Sequence, residues 1–160
     1  MNIRLATIRD LDAIAELEKK CFPAAEAASR DSFEKRLQRF ADHFWILEEN
    51  GLMISLINGM TTDRPVLDDE MYADAGLHDE QGDWQMIFGV ETDPEYQGKG
   101  YASVLMKHVI EDCRAQGRKG VVLTCKKEKV SFYEQFGFVD EGESASEHGG
   151  AVWYEMRITF

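Results

Sequence analysis

The sequence predicts a single α/β domain: a mixed sheet of about seven strands flanked by about four helices. Three observations predict it. Apolar runs of strand length alternate with stretches of helical period. An Asn50-Gly51 pair separates two of the apolar runs. From Met86 to Cys125 a strand, a glycine-rich turn, a helix and a second strand follow one another, and 160 residues suffice for one full core but are short for two.

In order along the chain, Ile3, Leu5 and Thr7 alternate with Arg4 and Ala6, as in a strand. Asp10 is placed to cap a helix with Ile14, Leu17 and Cys21 on its apolar stripe, ended by Phe22-Pro23. The segment 24–29 is compatible with helix or loop. Asp31 or Ser32 then opens a helix with Phe33, Leu37 and Phe40 at helical spacing. The runs 44–48 and 52–60 around Asn50-Gly51 form a hairpin. Residues 61–83 carry eight acidic side chains against one basic, Arg64, without a sustained period, and predict a long surface loop with at most a short helix near 69–75.

Met86 to Val90 is a buried strand stopped by Thr92-Asp93-Pro94. After Gly98 and Gly100, apolar residues at 104, 105, 109, 110 and 113 mark a helix that closes at Gly117, and the apolar run 120–125 is the next strand. Strand, helix, strand implies a parallel pair with a right-handed crossover. A short helix over 130–136 ends at Gly137, and 138–142 and 151–160 are the last strands. Trp153 breaks the apolar alternation of Val152, Tyr154, Met156 and Ile158.

Composition narrows the function. A formal net charge of −12 argues against nucleic-acid binding and suits a cationic small molecule. No apolar stretch approaches the ~20 residues of a membrane span, and Met1-Asn2-Ile3-Arg4 lacks the apolar segment of a leader, so the cytosol is expected. Cys21, Cys113 and Cys125 have neither metal-ligand nor paired spacing, which predicts buried thiols, no disulfide and no metal.

The glycine turn carries the chemistry. A helix start exposes free N–H groups and the positive end of its dipole, and glycines allow close backbone approach, so the turn is an anion cradle as well as a tight connection. Lys99, Lys107, Arg118, Lys126, Lys127 and Lys129 cluster in the surrounding sequence and would offset the acidic field there. Neither the dinucleotide fingerprint nor the P-loop fits. Gln97-Gly98-Lys99-Gly100-Tyr101-Ala102 instead resembles the Q/R-x-x-G-x-G/A signature of the GNAT superfamily of acetyl-CoA-dependent N-acetyltransferases, and Phe132-Tyr133 with Gly137-Phe138 resembles that family's F-Y-x-x-x-G-F segment. Element order agrees along the whole chain, implying the GNAT fold with a mostly antiparallel sheet and a splayed parallel pair.

The resemblance implies acetyl-CoA as co-substrate, with Phe88, Gly89 and Val90 pairing with its pantetheine arm. It places Gln97, Gly98, Lys99, Gly100, Tyr101, Ala102 and Ser103 on its pyrophosphate and Phe132 beside it. Tyr133 is implied as general acid to the leaving thiolate; a phenol with a pKa of about 10 is a workable donor to a thiol near 8.5. By its own spacing, Phe132 pairs with Phe136 as core, and Tyr133 is offset from both. Within the superfamily the sequence is most similar to the serotonin (arylalkylamine) N-acetyltransferases, through the segments 22–29, 123–125 and 130–133. Trp84 and Met86 stand where those enzymes carry two proton-relaying histidines. Phe22, Pro23, Glu26, Trp84 and Met86 are then the candidate acceptor wall. Glu26, Asp83, Glu91 and His148 are candidate bases, Glu91 facing away from Met86 and Phe88 in a regular strand; water relayed to a backbone carbonyl, or capture of the neutral amine fraction, is the equal alternative.

The expected activity is acetyl transfer to a primary amine by direct attack, in a monomer or homodimer. Acetylation of a peptide or protein amine, and non-catalytic acyl-CoA binding, are the alternatives.

Overall fold

The computed structural model describes residues 1–160. The elements are β1 (Asn2–Leu5), α1 (Leu11–Cys21), α2 (Arg30–Phe40), β2 (Phe44–Glu49), β3 (Leu52–Asn58), β4 (Thr61–Thr62), α3 (Glu70–Ala73), β5 (Trp84–Ile87), β6 (Gly89–Thr92), α4 (Tyr101–Ala115), β7 (Gly120–Cys125), α5 (Val130–Glu134), β8 (Val139–Glu143) and β9 (Tyr154–Thr159). No helix is long and apolar enough to cross a membrane.

The strands form two sheets, ordered β1-β2-β3-β6 and β4-β5-β7-β9-β8. All pairings are antiparallel except β5 with β7, which run parallel through Trp84↔Gly120 to Ile87↔Leu123. This is the mixed architecture expected, with two corrections: nine strands in two sheets replace about seven in one, and five helices replace about four. Both arise where the sequence pattern is weakest. The expected strand 86–90 is cut at Phe88, so its first half belongs to one sheet and its second to the other. The acidic segment 61–83 is not irregular throughout, for it contributes β4 and α3.

Two apolar clusters fill the space beside the sheets. One joins Trp45, Leu47 and Ile57 to α4 through Leu105, Met106 and Val109. The other joins Phe44, Ile46 and Leu56 to α1 and α2 through Ile14, Phe33 and Phe40. Alternating residues of β2 thus serve opposite cores, as a strand of period two covered on both faces requires. The hairpin turn is as expected, with Asn50 and Gly51 at φ of 51° and 78°.

Local chemistry sets the helix ends. Asp10 is not the side-chain cap of α1. A capping box between Thr7 and Asp10 closes a short 3₁₀ turn that leads into the helix, and Arg4 holds the Asp10 carboxylate at 2.8 Å. Ser29 caps α2, its hydroxyl accepting the amide of Ser32, so this helix begins one residue before Asp31.

Gly59 marks the closest backbone approach. A Cβ there would lie 1.8 Å from the carbonyl oxygen of Met86, where the Gln85 carboxamide also donates to the carbonyls of Gly59, Met60 and Met86. Gly59→Ala is therefore expected to destabilise the fold by roughly 3 kcal/mol or more, because the obstacle is backbone in a packed interior. Urea denaturation measures it, and a loss below about 1 kcal/mol would show that the strands yield.

Candidate active site

β6 ends its sheet. Its one neighbour is β3, and β5 parts from β7 after the Ile87↔Leu123 pair, so the facing edges of β6 and of Thr124–Cys125 diverge. The mouth of this gap is the 97–100 turn and the start of α4. Gly98 and Gly100 take φ of 77° and 86°, the left-handed region that suits glycine, with open space where a side chain would stand. The Gln97 carboxamide donates to the Thr92 carbonyl at 3.1 Å and the Asp93 carboxylate accepts the amide of Glu95, which fixes the turn from both sides. No main-chain amide from Gln97 to Ser103 donates to an acceptor of the protein, whereas Val104 already bonds the Gly100 carbonyl. Seven donors in succession are thus left free beside a cavity of about 360 Å³, walled by Gln97, Gly98, Gly100, Tyr101, Ala102 and Ser103 on one side and Phe132 on the other.

A second cavity, of about 280 Å³, opens between α1, the 22–26 turn, β7 and the 148–153 segment. Val90, Lys129 and Tyr133 line both, so the two meet there. Tyr133 is 8% exposed, edge-to-face with Phe132 and Phe138, and its hydroxyl has no protein partner at this junction. Burial raises its pKa above the ordinary phenol range, so the group stays protonated. Phe88, Gly89, Phe22, Pro23 and Glu26 all border the second cavity. Glu26 is ion-paired with Lys126 at 2.8 Å, and His148 stacks on Tyr72 at 4.6 Å with Nε2 donating to the Glu26 carbonyl at 2.9 Å.

The family model for the acetyltransferase (GNAT) family matches residues 11–138. The chain belongs to this family. Human N-acetyltransferase 8B is 25% identical over 104 residues, which are 63% of this chain and 40% of that protein. The chain thus spans about 40% of the length of the curated relatives of this kind that it matches. Among solved structures, the GNAT-like decarboxylase GphF, in complex with isobutyryl-CoA, covers 99% of both chains at a TM-score of 0.86 and 21% identity. The loading GNATL domain of CurA from Lyngbya majuscula covers 99% of this chain and 96% of its own at 0.85 and 19%. At these identities the two structures establish the GNAT fold.

Within this GNAT domain several predicted residues stand elsewhere. Met86 is fully buried in the core beneath α1 and α2, and Trp84 packs at the far end of β5 under the Arg157 guanidinium, 4.7 Å from its ring; neither borders the second cavity. Asp83 pairs with Lys119 at that same end. Arg118 is also there, buried against Glu80 and the Gly82 carbonyl, and contributes nothing to the glycine turn. The Lys99 ammonium lies over the Tyr96 ring at 5.5 Å, outside the wall. The aromatic cluster is inverted: Tyr133 is its buried member and Phe132 is half exposed, because α5 is only five residues long and too short to define a core face by spacing. Glu91 lies on the same side as Met86 and Phe88, since the break at Phe88 shifts the alternation.

The sequence reading missed Glu18, Tyr72, Thr124 and Trp153, all in the second cavity's wall. Trp153 alone carried a signal, as the exception to strand alternation. It also missed His43, His78 and Glu80, whose ligand atoms lie within 4.8 Å of one another, a spacing that could hold a metal ion. Here they serve as a staple. Gln85 accepts from His43 Nδ1 at 2.8 Å, the Thr61 amide donates to His78 Nδ1 at 3.1 Å, and Glu80 receives both Nε2 atoms and Arg118. That set anchors the acidic segment to β2 and β5.

Burial pushes the Cys21 thiol up to about 11 and those of Cys113 and Cys125 to about 12. At pH 8 the three thiols of the folded chain are expected to react with a disulfide reagent at least ~100-fold more slowly than those of the unfolded chain. Cys113 and Cys125 are buried as expected, whereas Cys21 is half-buried on the second cavity's wall with its thiol donating to the Thr92 carbonyl; a fast phase in the native protein would contradict these environments.

Proposed function

We propose that this GNAT domain transfers the acetyl group of acetyl-CoA to a primary amine, an arylalkylamine or another small cation, by direct attack on the thioester. One observation carries the reading: seven unpartnered amides at a helix start adjoin an unpaired strand edge. Such a helix start is suited to a diphosphate. Such an edge is suited to the amide groups of a pantetheine arm, which can extend the sheet through the main chain of Phe88, Gly89 and Val90. The cofactor then brings its thioester to the junction of the two cavities.

At that junction, Tyr133 is the proposed general acid, supported by its unpartnered hydroxyl and its raised pKa. Attack expels a thiolate whose conjugate acid lies near 8.5, and a buried phenol within reach can protonate it. The second cavity suits the acceptor: Phe22, Tyr72 and Trp153 offer aromatic faces to an arylalkyl group, and Glu18 and Glu26 offer carboxylates to an ammonium. Trp84 and Met86, remote from this cavity, have no part in the proposal.

A second reading draws on the likeness to GphF, a GNAT-like decarboxylase. The same cradle would hold a carboxylated acyl-CoA, with Lys126 or Lys129 near its carboxylate. The products separate the two. Amine acetylation releases free coenzyme A thiol, and decarboxylation releases carbon dioxide while the thioester survives.

Titrating acetyl-CoA into the protein by calorimetry is expected to give saturable one-to-one binding, and a panel of arylalkylamines, polyamines, amino acids and short peptides to give amine-dependent thiol release. Tyr133→Phe should lower turnover by about 10²- to 10⁴-fold and leave acetyl-CoA affinity near normal. Unchanged turnover in that variant would remove Tyr133 from the mechanism, and absence of binding would remove the cofactor assignment.

A further inference from the structure

We infer that Glu18, on the wall of the second cavity, and Glu91, buried behind it, form a proton-sharing carboxylate pair in which Glu18 receives the acceptor's ammonium and takes its proton while Glu91 positions it. The inference rests on the proposed transferase reading and deepens it by naming the base.

The geometry is specific. Glu18, in the middle of α1, is 6% exposed and borders the second cavity; its Oε2 accepts the Ala28 amide at 2.8 Å, and its other oxygen has no protein partner. Glu91, on β6, is 3% exposed, and neither of its oxygens meets a hydrogen-bond donor. A buried carboxylate with no donor is costly when ionised and satisfied when protonated, because its hydroxyl can then donate to a neighbouring carboxylate. α1 packs directly against β6, and Glu18 is the carboxylate it brings to Glu91. Burial, then the contact with Glu18, raises the Glu91 carboxyl well above the ordinary range.

No neighbour hydrogen-bonds the Glu91 carboxyl, although the Arg36 Nε, itself without a partner, belongs to a cation close enough to act on it. From α1, Cys21 faces Glu91 and adds to the upward shift, while Lys20 is engaged with Asp93 at 3.3 Å. From α2, Arg36 acts on Glu91 only through space. Its guanidinium donates to Asn58 and to the Tyr72 carbonyl and lies against the rings of Phe33 and Phe88. From β3, the Ser55 hydroxyl is spent on the Glu91 carbonyl. Across the cavity, Glu26 is neutralised by Lys126, and His148 Nε2 is held by a main-chain carbonyl. Arg36 acts through space on Glu18 as well as on Glu91 without hydrogen-bonding either, and Glu128 lines the exposed side of the cavity, so a proton on Glu91 leaves Glu18 as the one charged carboxylate of the pair.

Protons balance in this scheme. The ammonium gives one proton to the Glu18 carboxylate, leaving a neutral amine and a Glu18 carboxylic acid. The amine's lone pair forms the new C–N bond as the C–S bond breaks. The thiolate takes the Tyr133 hydroxyl proton, the nitrogen's second proton restores that hydroxyl, and Glu18 returns the first to solvent through the cavity mouth. The net reaction takes one ammonium and one thioester to an amide, a thiol and one proton.

The test uses the full chain with Glu18→Gln and Glu91→Gln; in the first variant the carboxamide oxygen at position 18 still accepts from Ala28, so it should fold. Amine-dependent thiol release with acetyl-CoA and an arylalkylamine is followed from pH 5.5 to 9.5. Coenzyme A binding is measured by calorimetry, and thermal unfolding is recorded between pH 5 and 8. Glu18→Gln should lower kcat/KM for the amine by about 100-fold or more with coenzyme A affinity within about threefold.

Stability reads the shared proton directly. Native Glu91 keeps a proton that the unfolded chain releases above about pH 4.3, so wild-type stability should fall as pH rises through that window, and Glu91→Gln should lose that slope. Wild-type kcat/KM in Glu18→Gln, or a wild-type stability slope in Glu91→Gln, overturns the pair. A wild-type protein that binds coenzyme A but releases no amine-dependent thiol overturns the transferase reading and the catalytic role of Glu18 with it. The stability slope would then still decide whether the two carboxyls share a proton.

Discussion

The molecule is organised by a strand that cannot serve one sheet throughout. From Trp84 to Ile87 it lies parallel to β7, and from Gly89 to Thr92 it pairs antiparallel with β3 instead, with Phe88 between the two modes. A single sheet would have consumed both edges of this strand. The break frees the edge of β6 facing β7, opens the gap in which both cavities lie, and sets the direction in which the 97–100 turn emerges. It also rotates the alternation of side chains, so that Val90 joins the α4 core while Glu91 turns beneath Gly89 toward α1. The proposed cofactor cradle, acceptor cavity and carboxylate pair all depend on that discontinuity.

An acidic protein that is to bind a diphosphate has to solve a local problem. The formal net charge of −12 opposes a diphosphate everywhere except where donors are concentrated. In the proposed cradle the donors are main-chain amides more than side-chain cations: the amides of 97–103 have no protein acceptor, six of those seven residues line the first cavity, and Lys129 stands at its junction with the second. Arg118, which lies close to the turn in sequence, is spent at the opposite end of the sheet on Glu80. Much of the acidic charge belongs to the segment 61–83, which a buried histidine, His43, ties down.

Much of this was legible in the sequence, for identifiable reasons. The glycine turn, the helix after it and the Asn50-Gly51 hairpin are local, and local chemistry determines them. A splayed parallel pair was expected here, but a full change of sheet at Phe88 was not legible, because residues 86–90 are uniformly apolar or small and carry no mark of a change of partner. Trp84 and Met86 were assigned to the acceptor wall by alignment on the turn alone, and core packing and distance along β5 put them elsewhere. Glu18 was invisible because one glutamate in an amphipathic helix reads as a solvated residue. Its significance appears only when the fold brings Glu91 beneath it. The same holds for His43, His78 and Glu80, whose proximity depends on the course of the acidic segment.

The central claim is that the free amides at the start of α4 and the open edge of β6 together form the coenzyme A cradle. Backbone amide NMR of the labelled chain during titration with coenzyme A tests it most directly. The account predicts that the largest shifts fall on Gly98 to Ser103 and on Val90, with the 61–83 segment undisturbed. Shifts confined to other parts of the chain, or none at saturating ligand, would contradict it.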